Sequence, residues 1–197
     1  MSTARLHEEI AACRVCEKAL GFAPRPVVQF SATSRILIIG QAPGSKVHAS
    51  GIGWDDASGD RLRDWTGLSR DRMYDSAQVA LVPMGFCYPG KASGGDKPPR
   101  PECAPLWHDR VQAKLPEDRL TLLVGMHAQK AYLPDTKGWT MARRVEHWCE
   151  SEGRDWGDVI PLPHPSWRST IFMRQNPWFE AEVVPLLREK VAARLAA

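Results

Sequence analysis

Four short apolar runs constrain this chain more than any other feature: "RILIIG" (35–40), "VALVPM" (79–84), "LTLLVG" (120–125) and "DVIPLP" (158–163). They are rich in Val, Ile and Leu and lack strict alternation, as expected of strands covered on both faces. The intervals between them are long enough for helical crossovers, so the pattern predicts a parallel α/β sandwich. Helices are expected at 4–13, at 59–66, from Gln129, and after "NPW" (176–178), where Asn caps and Pro pre-sets the first turn. In that last helix Phe179, Val183 and Leu187 recur at four-residue steps and form a face for the sheet, with a bend expected at Pro185. With 197 residues and no internal break, residues 1–197 are read as a single domain.

Each run ends in an unusual tail: "GQAPG" (40–44), "MGFCYPG" (84–90), "GMH" (125–127) and "HPSWRS" (164–169). In open parallel sheets ligands bind outside the carboxyl ends of the strands, so four such tails are expected to converge on one site. A His framed by two prolines at such an end, His164, then reads as a site residue rather than as core filling. The segment 88–101, "YPGKASGGDKPPRP", has no apolar periodicity and is expected to be a positively charged loop.

Apolar residues make up 43% and charged residues 25%, the balance of a soluble globular protein, and no run approaches a membrane span of about 20 residues. "MSTARLHEEI" carries charges throughout and is no signal peptide, so a reducing cytoplasm is the expected location. A net charge of +3 permits a polyanionic partner without demanding one. Of eight Trp, Trp54, Trp167 and Trp178 sit in Gly-, Pro-, Ser- or Asn-rich segments, where a ring is available for stacking. Cys13, Cys16, Cys87 and Cys103 suggest metal or cluster ligation in a reducing compartment, and Cys149 is left over.

In order and spacing, "CRVC" (13–16), "IIGQAPG" (38–44), "GIGWDDASGDRL" (51–62), Cys87, Cys103 and "HPS" (164–166) resemble the uracil-DNA glycosylase superfamily. The resemblance is closest to the iron–sulfur-containing bacterial and archaeal, family 4-like, branch. It implies a three-layer α/β/α sandwich around a four-stranded parallel sheet. The implied reaction is hydrolysis of the N-glycosidic bond of a uracil flipped out of single- or double-stranded DNA. It also implies that Trp54 lies against the base, that His164 donates to a base oxygen, and that Gly40, Ala42, Pro43, Gly44, Met84 and Gly85 line the substrate site. Ser166, Trp167 and Arg168 would hold the opened DNA, with Lys91, Lys97 and Arg100 meeting its backbone. Cys13, Cys16, Cys87 and Cys103 carry over onto the ligands of a structural [4Fe-4S] cluster, with zinc the second choice because it takes the same sulfur set. A monomer with no membrane partner is expected.

The chain departs from the family pattern at two places. Gln41 and Ala42 stand where relatives carry a carboxylate for the attacking water, and "VALVPMGFC" has no Asn to read the base. Gln41 is then expected to position the water, with Asp55, Asp56 and His48 as rivals. Segment 88–102 also lacks the Arg-rich, His-bearing insert of the branch that traps uracil-DNA covalently. Two alternatives stay open: a glycosylase for other deaminated bases such as hypoxanthine, and a non-catalytic relative that binds uracil or abasic DNA.

Overall fold

The computed structural model describes residues 2–167 and 169–196. Its elements run α1 (Thr3–Ala11), α2 (Glu17–Leu20), β1 (Ile36–Ile39), α3 (Ser45–Ser50), α4 (Ala57–Thr66), α5 (Arg70–Tyr74) and β2 (Val79–Leu81). They continue with β3 (Lys91–Ala92), β4 (Gly95–Asp96), α6 (Cys103–Gln112), β5 (Leu120–Val124), α7 (Met126–Tyr132), α8 (Met141–Glu150) and β6 (Val159–Leu162). The chain closes with α9 (Ser169–Gln175), a π-helical turn (Phe179–Val183) and α10 (Val184–Ala196).

All four predicted apolar runs become the main sheet, ordered β2-β1-β5-β6 with every pairing parallel. Its strands are apolar on both sides because helices cover both. Ile36, Ile38, Leu122, Val124, Ile160 and Leu162 pack on one face against side chains of α4, α8 and α10, among them Leu62, Trp148 and Leu187. On the other face Leu37, Ile39 and Leu123 meet Leu6 and Ile10 of α1, Trp107 and Val111 of α6 and Ala128 of α7. This is the expected three-layer α/β/α sandwich. Pro161, which has no amide hydrogen for a ladder, is tolerated because β6 is an edge strand paired only with β5.

Three expectations are corrected. Segment 88–101 is not all loop: Lys91–Ala92 and Gly95–Asp96 pair as a small antiparallel hairpin. The C-terminal helix does bury Phe179, Val183 and Leu187, but it opens as a π turn. Pro185 cannot donate to the carbonyl four residues back, and the turn before it widens so that the Val184 N–H reaches Phe179 O. Asn176 does not cap this helix with its side chain, whose amide donates back to Phe172 O at 2.8 Å. Helices α5 and α8 were not expected, yet each starts at a hydroxyl cap: Ser69 accepts from the Arg72 N–H and Thr140 from the Arg143 N–H.

Candidate active site

A cleft of about 800 Å³ opens at the carboxyl ends of the strands. Its floor is Gly40–Gly44 after β1, its walls are Pro83 after β2 and His164–Ser166 after β6, and its rim includes Trp54, Asp56, Trp167 and hairpin residues 94–96. Of the four expected tails only two, 40–44 and 164–169, line it; the second strand contributes Pro83 from its own end, and no residue of 84–90 does. The third tail supplies space instead of a ligand: Gly125, at φ 86°, leaves room for His164, whose Cβ lies 3.4 Å from where a Cβ on Gly125 would stand. His127 of that tail faces a separate groove with Met84, Pro101 and His108.

Trp54 is the most constrained side chain in the cleft. It holds φ 59°, a left-handed conformation that is costly for a bulky residue and is paid for by its surroundings. Its carbonyl accepts the Tyr74 hydroxyl at 3.1 Å and sits so close to Gly59 that a Cβ there would lie 1.7 Å from it. The indole covers Gly40, where a Cβ would come within 2.7 Å of Cζ2. The glycine of "GQAPG" is thus required by the ring above it. His164 lies beside the same ring, centroids 5.8 Å apart at 33°. Burial pushes the His164 imidazole below its usual range, opposed by the Asp56 carboxylate, so the ring is neutral at pH 7.

The "HPSW" loop is pinned from three sides. The Ser166 N–H and the Ser169 hydroxyl both donate to His164 O, and Arg61 of α4 donates to Ser166 O at 2.6 Å. Trp167 is 73% exposed at the mouth of the cleft, and Arg168 lies outside the described residues.

Gln41, Ala42, Pro43 and Gly44 all line the cleft, whereas Met84 and Gly85 do not. Their N–H groups donate to Gly40 O (2.9 Å) and Gln41 O (3.0 Å), which turns them beneath the floor they hold. Pro83 takes their place in the wall. It is fixed by a chain in which the Gln112 amide donates to the Tyr132 hydroxyl, that hydroxyl to His108 Nδ1, and His108 Nε2–H to Pro83 O. Of the rivals for the water, Asp56 lines the cleft. Asp55 is taken by Arg70 at 2.9 Å, and His48 packs against Phe22 and Tyr88. Tyr74, Arg61 and Asp96 were missed from sequence; the "GGD" of the hairpin was the one available signal for the last.

Residues 27–188 match the family described as the Uracil DNA glycosylase superfamily. The chain belongs to this superfamily. Membership points to a DNA glycosylase, a hydrolase of N-glycosyl bonds with DNA as its partner. Among the described residues no helix is long and apolar enough to cross a membrane.

This member of the glycosylase superfamily also has a second, much smaller pocket. Cys13, Cys16, Cys87 and Cys103 line one pocket of about 20 Å³ walled by Val15, Pro24, Pro26 and Phe86. The first two precede the matched span. Burial pushes the Cys87 thiol up to about 11 and Cys103 to about 12, and neighbouring cysteines add to both. The Phe86 N–H donates to Cys103 Sγ at 3.2 Å. Arg100 lies against Cys16 and pairs with Glu102 while its side chain stays part-exposed. Among the described residues no three His, Cys, Asp or Glu side chains close on a single-ion point. Lys91 and Lys97 are exposed on the hairpin, and Cys149 lies apart on α8.

Proposed function

We propose that this protein excises uracil from DNA. The observation that carries the reading is the Trp54–His164 pair, held over Gly40 in a cleft that a base inside a duplex cannot reach without being flipped out. Trp54 offers the extruded base a π-face. His164, kept neutral by burial, donates a ring N–H to a base oxygen as negative charge develops on the leaving group. The water is held beside the sugar by Gln41 and takes its orientation from the Asp56 carboxylate, the rival that faces the cleft. Ser166, Trp167 and Arg168 meet the DNA beyond the base, with Lys91 and Lys97 on its backbone.

Cys13, Cys16, Cys87 and Cys103 are the residues that would hold a [4Fe-4S] cluster. The donor set fits: four thiols around a mostly apolar pocket, with burial raising the Cys87 and Cys103 thiols and a backbone N–H aimed at one sulfur. Zinc, which takes the same sulfur set, is the second choice. The group, when bound, would supply a structural clamp. It would tie the Cys13–Cys16 turn to α6 and the 86–103 segment, in line with reading residues 1–197 as one domain; a monomer in the cytoplasm completes the proposal.

A second reading rests on the size of the cleft, about 800 Å³, which admits a purine as well as a pyrimidine. Strand-cleavage assays on single- and double-stranded oligonucleotides carrying uracil, hypoxanthine or xanthine test both. Abasic product from uracil is expected. Product only from a deaminated purine replaces the substrate, and binding without product marks a non-catalytic relative.

A further inference from the structure

We infer that Asp96 is a second carboxylate of the reaction centre, facing the deoxyribose of the extruded nucleotide and stabilising the positive charge that develops on it. The inference rests on the glycosylase reading above.

Asp96 reaches the cleft from β4 of the hairpin, in register with Lys91 at the end away from the turn. Its Oδ2 lies 3.6 Å from where a Cβ on Gly44 would stand, and Asp56 Oδ2 lies 3.9 Å from the same point. Two carboxylates from separate segments thus meet over one glycine at the end of "GQAPG". Asp56 Oδ1 accepts the Gly59 N–H at 2.9 Å as the cap of α4, which leaves Oδ2 for the cleft. Neighbouring Asp55 and Asp60 are neutralised by Arg70 and Arg63, whereas neither Asp56 nor Asp96 has a salt-bridge partner among the described residues. Asp96 rests against the Tyr88 hydroxyl, whose phenol is held above its usual range by burial and by that carboxylate. The Tyr88 ring packs near Phe22 and His48, so the hairpin is seated on α3 rather than left adrift.

Paired negative charge is out of place in a cleft for a polyanion unless the bound ligand offers something positive. Phosphates are repelled by it, and so is a base that leaves as an anion. The sugar is the exception. The C1′–N bond breaks with its electron pair on the base, the water oxygen bonds to C1′, and the water proton, taken up at Asp56, ends on the free base. Asp96 neither gains nor loses a proton; it lowers the energy of the sugar cation by Coulomb attraction that grows as DNA displaces water from the cleft. The cleft is then polarised, with Trp54 and His164 on the base side and Asp56 and Asp96 on the sugar side.

Two uncleavable oligonucleotides that differ only at the lesion test this: a neutral tetrahydrofuran abasic analogue and a protonated pyrrolidine analogue. The wild-type protein is expected to prefer the cationic one. Asp96→Asn is expected to cut that preference about 10-fold, to leave tetrahydrofuran binding unchanged or tighter, and to slow single-turnover excision by a similar factor. An unchanged preference in Asp96→Asn, or no preference in the wild type, overturns the inference. Wild-type protein that leaves every base in place overturns the excision reading and the catalytic role of Asp96 with it, while an Asp96-dependent preference in that case still places this carboxylate beside a cationic sugar. Asp96 is exposed, and matching thermal melts of the two proteins are expected.

Discussion

The cleft and the four-cysteine pocket are both assembled from segments remote in sequence, yet they are built on opposite physical terms. The cleft is about 800 Å³, floored by glycines, and its rim carries Asp56 and Asp96, which form no salt bridge among the described residues. The pocket is about 20 Å³, walled by Val, Pro and aromatic groups, and holds thiols that burial makes hard to ionise. A site that takes in a nucleotide keeps polar groups open to water until the ligand replaces it. A site that clamps the chain is small already. Substitutions should therefore separate the two: damage to the cleft costs turnover and spares the fold, and damage to the pocket does the reverse.

The largest effect is expected at the pocket. Cys103→Ser should abolish the broad visible absorption and the bound iron of anaerobically purified protein and lower its melting temperature, while Cys149→Ser leaves all three unchanged. Colourless wild-type protein would remove the cluster and with it half of the contrast.

Next comes His164→Ala, expected to slow uracil excision by about 10²-fold or more, roughly 2.7 kcal/mol, with DNA affinity and melting temperature nearly constant. Single-turnover kinetics read the first and thermal melts the last. A fall in stability that tracks the fall in rate would make His164 a packing residue.

A smaller step is expected from Asp56→Asn and Gln41→Ala, each on the order of 10-fold in the chemical step. Asn still caps a helix, so Asp56→Asn removes charge and keeps the Gly59 contact. If Gln41→Ala alone is silent, the water belongs to the carboxylate.

The smallest effect is a drift of stability with pH. Burial lowers His164, against Asp56, and lowers His108, against its hydrogen bond to Pro83 O and the charge of Asp109. Below the unfolded imidazole value, near 6.5, the unfolded chain binds more protons than the folded one. The stability from these two rings is therefore present above that pH and declines below it. Melts at pH 7.5, 6.5 and 5.5 should show a falling midpoint, and His108→Gln should flatten the slope.

Much of this architecture was legible before any coordinates. The strand runs were readable because residues buried on both faces leave no room for polar alternation, and His164 because a strand that ends in Pro-His-Pro cannot continue its ladder. The four cysteines were readable as a set by their spacing. Helix α5 escaped because five residues carry too little periodicity to register, and α8 because its buried stripe of Arg144, Val145 and Trp148 is interrupted by a charged residue.

Apolar periodicity and chain order by themselves determined the parallel sheet, the edge of it that would carry the site, and the segments that would meet there. Which side chain within a segment faces the cleft was decided only by tertiary contacts. Asp55 and Asp56 are adjacent, but an ion pair with Arg70 takes one outward and the cap of α4 leaves the other facing in. Met84 and Gly85 were turned beneath the floor by two backbone hydrogen bonds to Gly40 and Gln41, and Asp96 was carried to Gly44 by a hairpin with no apolar pattern at all. Local sequence sets the period of an element. The direction in which each residue points depends on partners elsewhere in the chain, and those meet only when the layers pack.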